Sequence, residues 1–318
     1  GVVEMDAKGI NFASVKTKSQ ASTGGSIVSL GGDDTITALD GTKIVLGGDG
    51  ADTIELGKNS AVASNRIVIG DNGAITYVPM LTAGVASVGA GLPEVYETTD
   101  TLSVTGGNDT ITVGDGDNTI LGGMGADTIK TDTRAVGGST GSGTDTIIGD
   151  NGIVRMDAQG NKYASVATKS RASTGGTIVD LGGDDVIVVG LGTKRVLGGD
   201  GSDTVTLGAG DHTVIGDNGV VTYVALSAGV AGGWGNAQKF ETTDTVDMSV
   251  AVTGTGGADT ITVTGNGTNT ILGGMGGDTI SLQTGADTIL GDNGVVEMDA
   301  KGINFASVKT KSQASTGG

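Results

Sequence analysis

Residues 106–130 read GGNDTITVGDGDNTILGGMGADTIK and place one isoleucine in every nine residues, at Ile111, Ile120 and Ile129. The same step recurs elsewhere, at Ile36, Val45 and Ile54, at Ile187, Val196, Val205 and Val214, and at Ile271, Ile280 and Ile289. The β-branched residues favour short strands, and the intervening glycines permit tight turns. We therefore predict an all-β fold, a parallel β-roll in which strand–turn half-coils stack about 4.8 Å apart. Since no half-coil buries its apolar residue alone, the stack is the folding unit.

The composition excludes several classes of protein. The chain has 318 residues, 62 of them Gly and none Cys, and its 18 basic and 36 acidic residues give a formal charge of −18. Nucleic-acid binding is disfavoured because phosphate contacts need clustered Lys and Arg. No apolar run approaches the roughly 18 residues of a membrane span, and a single His leaves little for acid–base catalysis. We expect no enzymatic activity, no nucleic-acid partner and no membrane span.

The chain repeats itself at two levels. Residues 1–25, GVVEMDAKGINFASVKTKSQASTGG, recur identically as residues 294–318, which defines a period of 293 residues, and residues 152–176 match them with substitutions. The tetrapeptide GDNG closes each module, at 70–73, 149–152, 216–219 and 291–294. It divides the chain into type A modules 1–73 and 153–219, type B modules 74–152 and 220–294, and the start of a further type A module, 295–318. We expect the sequence to be one period, with an overlap, of a longer tandem array.

Four segments match the nonapeptide GGxGxDxUx in full, where U is a large apolar residue. They are Gly47–Glu55, Gly122–Lys130, Gly198–Thr206 and Gly273–Ser281. The chain thus resembles the RTX (repeats-in-toxin) family, whose repeats form calcium-binding parallel β-rolls. The segments between the ladders are not explained by this resemblance, and we expect them to be hairpin-like inserts. The resemblance implies that several Ca²⁺ ions are bound. The alternative is ordinary turn chemistry, since Asp and Gly favour turns in any protein.

Calcium takes six to eight hard oxygen ligands, which the Asp carboxylates and the carbonyls of a Gly-rich turn would supply. The resemblance implies ligand roles for the nonapeptide aspartates Asp52, Asp127, Asp203 and Asp278. Partial motifs place further aspartates in the same slot, namely Asp34, Asp109, Asp145, Asp185, Asp259 and Asp287. The candidate carbonyl donors are Gly48, Gly50, Gly123, Gly125, Gly199, Gly201, Gly274 and Gly276. We expect the chain to be disordered without calcium and rich in β-structure with it.

Some half-coils depart from the pattern. Asn118, His212 and Asn269 fill the Asp slot in three of them, and Lys43 and Lys194 fill it in two others. A lysine there would replace the metal with its own ammonium, so we expect one metal-poor edge in each type A stack. The GDNG aspartates have two open interpretations, as calcium ligands or as caps of Asx-turns. These aspartates are Asp71, Asp150, Asp217 and Asp292.

The inserts that open each module differ in charge. Type A inserts hold ten of the 18 basic residues, including Lys16 and Lys18, whereas type B inserts end in the acidic segment ETTDT. All eight aromatic residues lie in inserts, namely Phe12, Tyr77, Tyr96, Tyr163, Tyr223, Trp234, Phe240 and Phe305. One hypothesis is a complementary contact between A and B inserts. The alternative is a set of solvated hairpins, each with a small core of its own.

A long, nearly identical array that becomes rigid on binding calcium suits a structural role outside the cell, where calcium is abundant. We predict an extracellular or cell-surface fibril, biofilm-matrix component or adhesin stalk whose partners are calcium ions and further copies of itself. The resemblance implies a bacterial protein exported by a type I-like route. The alternative is the repeat region of a secreted enzyme or toxin with its catalytic domain elsewhere. A ligand-binding adhesin would need a separate tip domain.

Overall fold

The computed structural model describes residues 1–5, 12–17, 20–23, 26–29, 31–58, 62–79, 81–82, 85–86, 89, 91–100, 105–131, 143–169, 171–174, 177–180, 182–225, 233–244 and 256–311. These residues form 32 strands in three large sheets and three small hairpins. Within these ranges, none of the secondary structure is helical, and no helix is present that could cross a membrane. The predicted all-β class is confirmed.

The first parallel sheet, sheet 1, has eight strands that lie side by side through all four modules. They are β5 (Thr35–Ala38), β7 (Thr53–Leu56), β13 (Thr110–Val113), β15 (Thr128–Thr131), β21 (Val186–Val189), β23 (Thr204–Leu207), β27 (Thr260–Val263) and β29 (Thr279–Ser281). Their register aligns the nine-residue ladder, since Ile111 lies opposite Ile54 on one side and Ile129 on the other.

The second parallel sheet, sheet 2, also has eight strands and takes the alternate half-coils. They are β6 (Lys43–Leu46), β8 (Arg66–Ile69), β14 (Thr119–Gly123), β16 (Asp145–Asp150), β22 (Lys194–Leu197), β24 (Thr213–Ile215), β28 (Thr270–Gly274) and β30 (Thr288–Asp292). Because both sheets continue across every module border, the modules stack into one roll. The predicted β-roll is confirmed.

The core between sheets 1 and 2 is entirely aliphatic. Ile54, Ile111 and Ile129 from sheet 1 and Val68 and Ile120 from sheet 2 are fully buried in it. The branched residues of the two sheets fill this space without any aromatic side chain, as the absence of aromatics outside the inserts requires. Each fully buried side chain of this kind contributes about 1.5–3 kcal/mol relative to an exposed one.

The inserts form a third layer, a ten-stranded antiparallel sheet that we call the insert sheet. Its strands are β1 (Val2–Met5), β2 (Phe12–Lys16), β9 (Gly73–Tyr77), β12 (Pro93–Thr98), β17 (Gly152–Met156), β18 (Tyr163–Thr168), β25 (Gly219–Tyr223), β26 (Ala237–Thr242), β31 (Gly294–Met298) and β32 (Phe305–Thr310). Each hairpin pairs with the next module's hairpin, through β2–β9, β12–β17, β18–β25 and β26–β31. Inserts that are hairpins in sequence therefore become one continuous sheet.

A second core lies between sheet 2 and the insert sheet. Leu121 and Ile148 of sheet 2 are fully buried there, together with Tyr96 and Phe240 of the insert sheet. Successive side chains of a strand point to opposite faces, so Ile120 enters the first core and Leu121 the second. This layer explains why aromatic residues occur only in the inserts, and it gives the inserts a shared core instead of separate small ones.

The GDNG motifs mark the points where the chain leaves sheet 2 for the insert sheet. In all four, the amide of the last glycine is bound by a threonine hydroxyl of a neighbouring insert, and for Gly152 the acceptor is Thr98 Oγ1 at 3.0 Å. The other three pairs are Gly73 with Thr17, Gly219 with Thr168 and Gly294 with Thr242. These contacts fix each insert to the insert beside it.

Three two-stranded hairpins complete the described structure. They pair β3 (Gln20–Thr23) with β4 (Ser26–Ser29), β10 (Leu81–Thr82) with β11 (Val85–Ala86), and β19 (Arg171–Thr174) with β20 (Thr177–Asp180). The proposed module borders fall directly after the first residue of β9, β17, β25 and β31. The division into modules remains a prediction from sequence, and the sheets run through it without a break.

Candidate calcium-binding edge

The residue directly before each strand of sheet 1 is an aspartate, whether the chain arrives from sheet 2 or from an insert. This row, which we call the acidic edge, consists of Asp34, Asp52, Asp109, Asp127, Asp185, Asp203, Asp259 and Asp278. Each aspartate immediately precedes a strand of sheet 1, so the register of that sheet aligns the carboxylates along the stack. Eight of the ten slot aspartates proposed from sequence are thus brought into a single row.

In seven of the eight carboxylates, all except that of Asp34, one oxygen is held by the neighbouring coil. The amide of Asp34 donates to Oδ1 of Asp52 at 2.7 Å, and the amide of Asp109 donates to Oδ1 of Asp127 at 2.7 Å. The same bond links every neighbouring pair along the row up to Asp278. This ladder fixes the orientation of the carboxylates and turns the second oxygen of each toward the turn.

The second oxygen has no hydrogen-bond donor in the described part of the chain. The buried and unpartnered atoms are Oδ2 of Asp52, Asp109, Asp127, Asp185, Asp203, Asp259 and Asp278. A buried polar atom without a partner costs about 1–3 kcal/mol, and more when it is charged. Seven repetitions of this arrangement indicate that a cation supplies the missing interaction.

The first glycine of each turn leaves room for that cation. A Cβ added at Gly122 would lie 2.2 Å from Oδ2 of Asp127 and 1.9 Å from the carbonyl oxygen of Gly149. At Gly198 the same two distances, to Asp203 Oδ2 and Gly216 O, are 2.1 and 2.0 Å. Five further glycines show the same geometry, namely Gly47, Gly70, Gly149, Gly216 and Gly273. Calcium–oxygen distances are about 2.3–2.6 Å, so an ion beside these positions would contact both oxygens.

The oxygens around this space are mainly backbone atoms. Within the described residues, no three Asp, Glu or His side chains converge on one point. The carbonyls beside the unpartnered Oδ2 atoms belong to the first glycine of the turns, such as Gly149 and Gly216, which sequence reasoning missed. The requirement for a residue without a Cβ is the signal that identifies them.

The carbonyl donors proposed from sequence are the second and third glycines of each turn. All eight, from Gly48 to Gly276, have φ between 100° and 127°. This left-handed region suits glycine and strains other residues, so these positions set the shape of the turn. Their roles as calcium ligands remain a proposal.

The GDNG aspartates have different partners. Oδ1 of Asp150 accepts a hydrogen bond from the amide of Gly183 at 3.0 Å, and its Oδ2 accepts one from the amide of Asp200. Asp71 and Asp217 bind the equivalent amides in their own coils. Both oxygens of these three carboxylates therefore hold backbone amides that lie 33 to 58 residues further along the chain, so the bonds join separate coils and are not the local bonds of an Asx-turn. A role for these aspartates as calcium ligands remains a proposal. Asp292 is exposed on the last described coil.

Burial sets the proton affinity of this edge. It raises the pKa of Asp109 to about 8 and that of Asp259 to about 7, with smaller contributions from neighbouring carboxylates. Burial also raises the pKa of Asp71 to about 10 and that of Asp217 to about 9. The pKa of Asp127 is raised well above its ordinary value by burial and by Asp185. Near neutral pH, burial therefore favours the protonated form of the most buried carboxylates, and a bound cation would favour their ionised form.

The opposite turns, from sheet 1 to sheet 2, form a row that we call the mixed edge. It consists of Lys43, Arg66, Asn118, Asp145, Lys194, His212, Asn269 and Asp287. Lys194 Nζ lies 2.8 Å from Asp145 Oδ2 and 3.0 Å from the carbonyl oxygen of Gly143, and both charged side chains are almost fully buried. The ammonium thus gives Asp145 a buried cationic partner, and its replacement of a metal at this edge remains a proposal.

Arg66 supplies a second built-in cation at the mixed edge. Its guanidinium is buried and Nη1 donates to the carbonyl oxygens of Ser64, Gly114 and Asp115 at 2.8, 3.2 and 3.0 Å. Sequence reasoning missed this residue because five extra residues before β8 interrupt the nine-residue step between Ile54 and Val68.

The two remaining slot aspartates lie at the mixed edge, away from the acidic row. Asp145 is bound by Lys194 and by Thr131 Oγ1 at 2.8 Å. Asp287 Oδ1 accepts hydrogen bonds from the amide and the side chain of Asn269 at 3.0 and 2.8 Å. These two residues have protein partners where the acidic edge has unpartnered oxygens, so their proposed role as ligands has the weaker geometric support.

The parallel stack, the turns with left-handed glycines and the row of buried carboxylates define a calcium-binding β-roll. The family model for the RTX calcium-binding nonapeptide repeat matches four segments, residues 26–58, 96–129, 195–221 and 263–295. The chain therefore carries RTX repeats, which are structural calcium-binding units, and it binds several Ca²⁺ ions. No curated protein and no solved structure matches the chain significantly.

Proposed function

We propose that this chain is the calcium-binding repeat region of a long secreted protein that forms an extracellular fibril, biofilm-matrix component or adhesin stalk. The observation that carries the proposal is that the roll and the insert sheet have the same number of strands in each 293-residue period. Sheets 1 and 2 have eight strands each, and the insert sheet has eight once β31 and β32, which repeat the sequence of β1 and β2, are set aside.

Equal strand counts allow the array to continue without strain. Strands in all three sheets are about 4.8 Å apart, so eight strands of the roll and eight of the insert sheet both advance about 38 Å. An insert sheet with more or fewer strands per period would drift out of step with the roll beneath it. A layered stack without such drift supports a straight, extended fibre of many periods.

Contacts between neighbouring inserts support the same role. The ammonium of Lys169 in a type A insert lies 3.0 Å from the carboxylate of Glu97 in the preceding type B insert. Lys311 makes the equivalent ion pair with Glu241. Both lysines are the copies of Lys18, which itself lies outside the described residues, as does Lys8. Complementary charges therefore join A and B inserts within one chain.

Calcium would confine the folded fibre to the outside of the cell. A ligand that binds only the folded state adds stability according to its concentration relative to Kd, and calcium is millimolar outside cells and far scarcer inside. The buried carboxylates would keep the chain unfolded during export. Location and export route are parts of this proposal.

Electron microscopy of a protein with several 293-residue periods tests the proposal. In millimolar calcium we expect straight filaments with an axial repeat of about 38 Å per period, and in excess chelator no filaments. Flexible or globular particles in calcium would contradict the fibre, and filaments that persist in chelator would contradict its dependence on calcium.

A further inference from the structure

A cleft of about 430 Å³ opens between the mixed edge and the insert sheet. Arg66 and Arg195 of sheet 2 line one side, and Tyr96, Lys162 and Tyr163 of the inserts line the other. The volume lies within the range of small-ligand sites. The chain has a formal charge of −18, so a cleft lined by three basic side chains differs in charge from the molecule as a whole.

The guanidinium of Arg195 packs against two aromatic rings, and one of its nitrogens has no hydrogen-bond partner among the described residues. Its Cζ lies 5.3 Å from the ring centre of Tyr163 and 5.7 Å from that of Tyr223. Stacking on two aromatic rings fixes the guanidinium plane. Its Nη1 is buried and has no hydrogen-bond partner within the described ranges. Asp117, the acidic residue of the cleft, accepts the amide of Thr144 at 2.7 Å.

Four of the differences between the two type A copies lie at this cleft. Asn161, Lys162 and Tyr163 stand where the first copy has Ile10, Asn11 and Phe12. Arg195 stands where the first copy has Ile44. All four replacements add polar or basic groups, and all four residues line the cleft. The first copy therefore has no basic side chain at the positions of Lys162 and Arg195, where Asn11 and Ile44 stand.

We propose that this cleft binds an acidic saccharide unit, a sugar that carries a carboxylate. A guanidinium matches a carboxylate through two parallel hydrogen bonds, and Lys162 adds a second positive charge. The lining also contains threonine and asparagine side chains that can form hydrogen bonds with sugar hydroxyls. They belong to Thr42, Thr119, Thr144, Asn65 and Asn161. The tyrosines combine an apolar ring with a hydroxyl, which suits the two kinds of surface of a sugar.

The register of sheet 2 supplies a well-matched test variant. Arg195 lies opposite Thr146 on one side and Thr213 on the other, so threonine is already accepted in this row. We therefore choose Arg195→Thr as the variant. Arg155→Thr is its control, because it removes the same charge from an exposed position of β17 outside the cleft.

The experiment measures binding of methyl glucuronoside and methyl glucoside to the calcium-loaded chain by calorimetry and ligand-detected NMR. The proposal expects the parent chain to bind the glucuronoside and to bind the glucoside roughly tenfold or more weakly. Arg195→Thr should bind the glucuronoside roughly tenfold or more weakly than the parent does, and Arg155→Thr should bind it as the parent does. Circular dichroism in a calcium titration checks folding. If Arg195→Thr does not fold, Tyr163→Phe, which restores the residue of the sister copy, is expected to weaken binding instead.

Three results would overturn the proposal. They are no binding of the glucuronoside, equal binding by the parent and Arg195→Thr, and tighter binding of a glutamate-rich peptide than of the glucuronoside. The last result would identify the cleft as a site for a protein partner. The outcome is independent of fibre formation, since a single folded period contains the whole cleft.

Discussion

The backbone amide of Asp127 donates to Oδ1 of Asp185 at 2.7 Å, although the two residues are 58 positions apart and belong to different modules. Oδ2 of Asp185 is buried and has no donor among the described residues. One oxygen of the carboxylate thus joins two coils while the other is left for a cation. Binding of calcium at the acidic edge would therefore be coupled to the folding of neighbouring coils.

Removal of calcium is expected to unfold the chain at pH 8 and to have a smaller effect at pH 5. Burial in the metal-free fold raises the pKa of Asp109 to about 8 and that of Asp259 to about 7, from an ordinary value of 3.8. Raised folded-state values mean that the fold holds more protons than the unfolded chain, so this stability is complete below about pH 4 and is lost as pH rises through 7 and 8.

Far-UV circular dichroism in excess chelator from pH 4 to 9 measures this dependence. The β signal should fall as pH rises, and a parallel series in calcium should stay constant through the same window. A chelated sample whose β signal increases with pH would contradict the assignment of the acidic edge as the source of the dependence.

Gly273→Ala is expected to remove one calcium ion and to shift the calcium midpoint to higher concentration. Its Cβ would lie 2.2 Å from both Asp278 Oδ2 and the carbonyl oxygen of Gly291, in the space assigned to the ion. Gly277→Ala is the matched control in the same turn, because its Cβ meets nothing within 4 Å. Calcium stoichiometry by calorimetry distinguishes the two, and an unchanged stoichiometry in Gly273→Ala would place the ion elsewhere.

Lys194→Met is expected to destabilise the calcium-loaded chain by about 3–5 kcal/mol, because it leaves the Asp145 carboxylate buried without its partner. A second change, Asp145→Leu, should recover most of the loss. Lys169→Met, which breaks a half-exposed pair with Glu97, should cost at most about 1 kcal/mol. Urea unfolding in saturating calcium measures all three, and equal losses for Lys194→Met and Lys169→Met would argue against a built-in cation.

Thr98→Val is expected to cost about 1–3 kcal/mol, because the amide of Gly152 loses its buried acceptor. The control is Thr110→Val on the exposed face of sheet 1, where β21 already has Val186 in the same row. Hydrogen exchange of the Gly152 amide reports the change locally. Retained protection of that amide in Thr98→Val would show that the threonine is not its partner in solution.

The nine-residue ladder was sufficient to predict sheets 1 and 2, because each apolar residue is repeated at a fixed step and has one place in a stack. The acidic row followed from the same step, as did the position of Lys194 beside Asp145. Arg66 escaped prediction because additional residues interrupt the step before it. These outcomes depend on periodicity, which a single sequence displays directly.

The insert sheet could not be predicted in the same way. The pairing of β2 with β9 joins Val15 to Ile75, residues that are 60 positions apart with a stretch of the roll between them. Alternating strands of this kind fit many partners, and only the roll beneath them brings the correct hairpins side by side. The cleft around Arg195 could not be predicted for the same reason, because its lining residues come from all four modules of the chain.

The hydrogen bonds of all three sheets run along the direction in which the coils stack. A pull along that direction loads the bonds of each interface in parallel, so no single interface yields until its calcium contacts and three sets of bonds give way together. A released coil of 18 residues would then lengthen the chain by about 60 Å at roughly 3.4 Å per residue. Such a chain would absorb mechanical work in discrete steps and, in the presence of calcium, would rebuild each step when the tension falls.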